Sequence, residues 1–154
     1  MLPTRNALLI LLLGLLTACS QGPAEAPIKA NPVEGAWYGE VLGQVKDLRA
    51  KAAKLVQEGK KDEAAAALKS AGPLVQRLLT VPSPTLEAAL AASDIDQLYA
   101  QMLAGNRHYG WARMVFQKDA ARWRNWTPQT EESLRRRKMA EAGMAECDRA
   151  IAKQ

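Results

Sequence analysis

Residues 38–55 read YGEVLGQVKDLRAKAAKL, and their apolar positions decide the fold class. Tyr38, Val41, Val45, Leu48, Ala52 and Leu55 follow one another at alternating steps of three and four residues. That spacing puts all six on one face of an amphipathic helix, and such a stripe must be buried against other helices. Gly59 then supplies a residue that tolerates the left-handed conformation of a helix C′ position. Asp62 opens a second helix, with Glu63 favoured in its first turn by the helix dipole. Its Ala64–Ala67 run is narrow enough to pack closely on the first helix. Gly72-Pro73 predicts a break or kink, since proline removes a helix donor and its ring clashes with the preceding turn.

Helical periodicity continues to the C-terminus. Leu86, Leu90 and Ala91 share a short face after Pro84-Thr85. Ser93 reads as the N-cap of a further helix over residues 94–104, with Asp96 three residues on as a capping-box analogue. Ile95, Leu98, Tyr99, Met102 and Leu103 face its core, and Gly105 ends it. Residues 107–126 form a long helix whose buried side carries Tyr109, Ala112, Phe116, Ala120 and Trp123. Thr127-Pro128 reads as an N-cap followed by Pro at N1. The last helix runs to about Lys153, with Ala140, Met144, Cys147 and Ile151 on its buried stripe and Gly143 allowing close approach. No alternation characteristic of a strand appears. The expected architecture is all-α, a four- to five-helix bundle of antiparallel hairpins spanning residues 36–154.

Ahead of this domain, residues 7–16 read ALLILLLGLL, an apolar run of secretory length that follows a short n-region with one positive charge, Arg5. It is shorter than the roughly twenty apolar residues of a membrane span. Leu16-Thr17-Ala18-Cys19 follows directly. The segment resembles a bacterial lipoprotein signal peptide ending in its lipobox. The resemblance implies removal of residues 1–18, lipidation of Cys19, and stable anchoring by two or more acyl chains. Ser20, where an Asp tends to retain such proteins in the inner membrane, favours the outer membrane, facing the periplasm. Residues 20–35, SQGPAEAPIKANPVEG, contain three Pro and two Gly and read as a semi-extended tether. At ~3.1 Å per residue it spans up to ~45 Å. With Cys19 lipidated, Cys147 has no intramolecular partner and reads as a small buried apolar residue.

Gly59, Lys60, Asp62, Glu63, Ala64 and Ala71, with Ala52 before them, resemble the turn and second helix of a tetratricopeptide unit. The match covers residues 45–76. Leu68 stands where an aromatic is usual and Gln76 where the terminal proline falls. Leu103-Ala104-Gly105-Asn106 echoes the helix end, without the Ala positions that would follow. Solenoids need about three units, so this resemblance implies one or two degenerate hairpins within the bundle.

Charge separates the classes of function. The chain from Cys19 onward carries +4, while residues 107–138 alone hold nine bases against three acids. That stretch also contains Trp111, Trp123 and Trp126. Trp111, Lys118 and Arg122 fall on the helix side away from Phe116 and Trp123, and Arg135, Arg136, Arg137 and Lys138 begin the next helix. Cations around an aromatic suit lipid headgroups, lipid A phosphates or glycan. The plainer reading is a solvated face, with Glu131–Arg135, Glu132–Arg136 and Arg137–Glu141 as helix pairs. Asp119 lies near the buried side, where Arg122 or His108 is its expected partner.

One His and two Cys provide no zinc or His-cluster site. No phosphate loop, nucleophile elbow or paired-His motif is present, so neither a catalytic centre nor a cofactor is expected. The sequence therefore predicts a non-enzymatic, lipid-anchored module that docks an envelope protein. The alternative is a lipoprotein that binds an anionic lipid or glycan through residues 107–138. Nucleic acid is not an expected partner of an exported, anchored protein.

Overall fold

The computed structural model describes residues 31–154; Cys19 and the expected signal peptide of residues 1–18 lie outside the described residues. Five helices follow in order: α1 (Ala36–Gln57), α2 (Lys61–Leu79), α3 (Leu86–Gly105), α4 (Tyr109–Asn125) and α5 (Glu131–Ile151). No strand occurs among the described residues, so the chain is an all-α bundle. No helix among them is long and apolar enough to cross a membrane. The last residues of the stretch read as a tether, Asn31–Gly35, are among the described residues. Pro32–Glu34 forms a 3-10 turn capped by Asn31, and Val33 packs on the core.

Each helix runs antiparallel to the next. Tyr38 at the start of α1 donates its hydroxyl to the Leu78 carbonyl at the end of α2 (3.3 Å) and accepts from the Thr85 N–H ahead of α3 (3.1 Å). At the opposite end Lys61 Nζ donates to Asn106 Oδ1 at 2.9 Å, joining the start of α2 to the end of α3. Arg113 near the start of α4 pairs with Asp148 near the end of α5 at 2.5 Å. Helix α3 touches all four others, whereas α2 and α4 do not touch each other. The bundle is thus two three-helix groups, α1–α2–α3 and α3–α4–α5, sharing one central helix.

Composition explains why α3 takes that place. Ala88, Ala89, Ala91, Ala92, Ser93, Ile95, Asp96, Gln97 and Ala100 are all buried. Small side chains at most of these positions let neighbours approach closely on several sides. In the first group Val45 and Leu78 are fully buried, each contributing about 1.5–3 kcal/mol by apolar burial. Trp37 lies under the Arg77 guanidinium at 4.5 Å, closing the start of α1 on the end of α2. In the second group Ala100, Ala112, Phe116 and Cys147 form the core. The Gly143 backbone sits against Phe116, where an added Cβ would fall 2.6 Å from the ring.

Three predicted boundaries are corrected. Helix α2 continues through Pro73. Gly72 and Pro73 are exposed, so the carbonyl released by proline reaches water, while Leu74, Val75 and Leu78 beyond it are held by packing on the first core. Residues 86–105 are a single helix capped by Thr85, whose side chain accepts from the Ala88 N–H. Ser93 is no cap but a buried mid-helix residue. The cap of α5 is Thr130, in a reciprocal box with Ser133; Thr127-Pro128 lies in the preceding linker, with a cis peptide bond.

Candidate functional site

The α3–α4 contact is held by buried polar groups. Asp119 is fully buried. It accepts from Ser93 Oγ at 2.9 Å and from Gln97 Nε2 at 3.3 Å, both on α3, and its other oxygen pairs with Arg122. Arg122 also pairs with Asp96 on α3 at 2.5 Å. Trp123 Nε1 donates to Ser93 Oγ at 3.0 Å, so one serine hydroxyl serves two residues of α4. Burial pushes the Asp119 carboxyl above its ordinary value, against the opposing pull of Arg122, Ser93 and Gln97. With Asp119 itself fully buried and its partners supplied by α3 and α4, this cluster fixes the register of α4 on α3.

That register opens a groove. Because α2 and α4 flank α3 without meeting, the outer side of α3 forms a floor between two walls. The larger, more open part, about 710 Å³, is lined by Tyr99, Leu103, His108, Trp111, Met114, Val115 and Lys118. A smaller, more enclosed part of about 330 Å³ continues past Tyr99 and Lys118 to Ala65, Ala66, Lys69 and Gly72 on α2. One wall is small and smooth; the other is bulky and apolar. Trp111 is 65% exposed, Met114 59% and Tyr99 38%. Large apolar groups clustered on a surface in this way mark sites where another molecule binds. Tyr99, expected in the core, instead lies on this floor, since α2 stops short of α4 and leaves that side of α3 uncovered.

The other sequence candidates separate. Trp111 and Lys118 do share the groove. Arg122 does not join an outward cationic face: its side chain is only 13% exposed and is held by Asp96 and Asp119. Lys118 pairs with the same Asp96 at 2.5 Å. Arg135 and Arg136 both engage Glu132, Arg136 also reaches Asp94 on α3, and Arg137 lies 3.3 Å from Glu141. Lys138 is exposed. None of these four lines the Trp111 groove. The Glu132–Arg136 and Arg137–Glu141 pairs stand as expected, while Arg135 turns to Glu132 rather than Glu131.

Asp119 and Arg122 form the buried pair the sequence suggested. Cys147 is buried at 2% exposure, and burial raises its thiol above the ordinary range. His108 lies exposed at the groove rim. Met114 was missed by sequence reasoning; its position three residues after Trp111 and four before Lys118, on the face opposite Phe116, was the available signal. No group of three or more His, Cys, Asp or Glu side chains able to hold a metal occurs among the described residues. No protein-family model, curated protein or solved structure matches the chain.

Proposed function

We propose that this protein is a lipid-anchored, non-enzymatic docking module of the bacterial envelope that holds an apolar segment of a protein partner between α2 and α4. The observation that carries the reading is the exposed Tyr99–Trp111–Met114 surface, set on a floor that the buried Asp119 cluster makes rigid. A preorganised groove loses little freedom on binding. Aromatic anchors in such grooves account for much of the affinity of protein interfaces. The Leu16-Thr17-Ala18-Cys19 lipobox supports membrane attachment through Cys19. The Gly59 turn and the succession of antiparallel hairpins are compatible with a degenerate tetratricopeptide origin.

Anion binding by the segment 107–138 receives less support, since Arg122, Arg135, Arg136 and Arg137 are engaged by carboxylates of the same domain. A photo-crosslinking residue placed at Met114 in the full-length protein, in intact envelopes, tests the docking reading. A discrete crosslinked protein is expected at position 114 and not at exposed Glu40 on α1, and Trp111→Ala should abolish it. Equal yields at both positions, or no effect of Trp111→Ala, would sink the reading. In parallel, Cys19→Ser should abolish fatty-acid labelling; persistent labelling would refute the anchor.

A further inference from the structure

We infer that a second site, at the α3–α4 turn, binds a phosphate-bearing anion through Arg107, Arg149 and Lys153. These three side chains line one pocket of about 410 Å³, together with Tyr109 and Glu146. They come from distant parts of the chain: Arg107 from the turn after α3, Arg149 from the last turn of α5 and Lys153 from just beyond it. None of the three is in an ion pair among the described residues, whereas most cations of the intervening stretch are paired. Among the lining side chains three cations face one carboxylate, an excess of positive charge that suits a phosphate group. Arginine is suited to such a group because its planar fork donates two parallel hydrogen bonds, and the Tyr109 phenol provides a neutral donor.

The backbone supplies an independent reason. Arg107 has φ +63° and is the one non-glycine residue with positive φ among the described residues. It occupies the C′ position of a Schellman cap: His108 N–H bonds Leu103 O and Arg107 N–H bonds Ala104 O, both at 2.9 Å. The chain builds the same cap at the end of α1. There Lys60 N–H bonds Leu55 O and Gly59 N–H bonds Val56 O, and the C′ residue is Gly59 with φ +77°. Glycine is the unstrained choice at such a position. The chain uses it at α1 and forgoes it at α3, where the side chain lies beside two further cations. Strain of this kind concentrates at functional sites.

The same phosphate chemistry is offered by a soluble phosphate compound and by an anionic phospholipid headgroup. Full-length protein in nonionic detergent is titrated with inorganic phosphate, and separately with phosphatidylglycerol or phosphatidylcholine in mixed micelles, against sodium chloride at matched ionic strength. Binding is read from the Arg and Lys side-chain NMR signals. Wild type should respond to inorganic phosphate at about 1 mM or below or to phosphatidylglycerol; the first result assigns a soluble ligand, the second alone a headgroup. Arg107→Gly should weaken that binding about tenfold or more, as loss of a charged hydrogen bond does, while its melting temperature equals or exceeds that of wild type. Arg149→Ala/Lys153→Ala should weaken it as well. Response to neither phosphate source, an equal response to chloride, or undiminished binding by Arg107→Gly overturns the inference. So does a lower melting temperature for Arg107→Gly, which would give the arginine a structural role. The groove does not share these three residues, so failure here leaves the docking reading intact.

Discussion

Gly143 on α5 separates packing from propensity in one substitution. In an exposed helix interior, glycine to alanine gains about 1 kcal/mol because the backbone loses less freedom on folding. Gly39 on α1 meets that description: it is exposed and a Cβ there meets nothing within 4 Å. At Gly143 the same Cβ would sit 2.6–2.7 Å from three carbons of the Phe116 ring. Phe116 is 7% exposed and packed among Ala100, Ala112 and Cys147, so the ring cannot retreat without moving its neighbours. Overpacking of this kind typically costs about 1–3 kcal/mol. Gly143→Ala is therefore expected to be neutral to destabilising by about 2 kcal/mol once the propensity gain is subtracted, and Gly39→Ala to stabilise by up to about 1 kcal/mol. At roughly 3–6 °C per kcal/mol for a domain of this size, thermal unfolding of the two proteins should diverge measurably. Phe116→Leu in the Gly143→Ala background should recover part of the loss, and the double-mutant cycle should show coupling of about 0.5–3 kcal/mol. If Gly143→Ala rises in melting temperature as far as Gly39→Ala does, the α4–α5 packing described above is wrong.

Asp119→Ala leaves Arg122 and the two α3 donors short of a buried acceptor and should cost about 3–5 kcal/mol in urea unfolding; a loss below about 1 kcal/mol would mean that the cluster does not set the α3–α4 register. The Glu132 carboxyl is held down to about 2 from an ordinary 4.5 by hydrogen bonds from Arg135 and Arg136. Its folded-state value is below its unfolded value, so its contribution is complete above pH 4.5 and declines as pH falls toward 2. Being partly exposed, it is worth at most about 1 kcal/mol; Glu132→Gln should flatten stability over that window, and an unchanged acid limb would refute the pairing. Asp119, raised by burial, carries the opposite sign, so the slope should be compared in proteins that retain Asp119.

The helical class was legible because the apolar stripe from Tyr38 to Leu55 admits one period, and because Gly59 and Gly143 each met the geometric need that their position implied. The boundaries within α2 and α3 were not, for a common reason. Pro73 and Ser93 carry strong local signals, a breaker and a cap, but each was overruled by tertiary contacts. Packing of Leu74, Val75 and Leu78 on the first core carries α2 past its proline. The Ser93 hydroxyl, free to cap in an isolated peptide, is taken by Asp119 and the Trp123 indole. A local rule predicts the chain only where no buried partner competes for the same group.

The same limit governs the charges. Counted along the chain, residues 107–138 form a basic block with a tryptophan in it, and the block suggests one surface. Folding divides it according to partners the count does not see. Asp96 and Asp94, both on α3, draw Arg122, Lys118 and Arg136 inward or along the helix contact, and Glu132 and Glu141 occupy Arg135 and Arg137. Trp111 keeps one cation of the block, Lys118, in its groove beside the apolar Met114. Arg107, at the edge of the block, meets Arg149 and Lys153 from beyond its other end. Net charge per segment thus located the excess cations but not their neighbours. The antiparallel return of α5 decides which cations lie beside carboxylates and which lie beside one another.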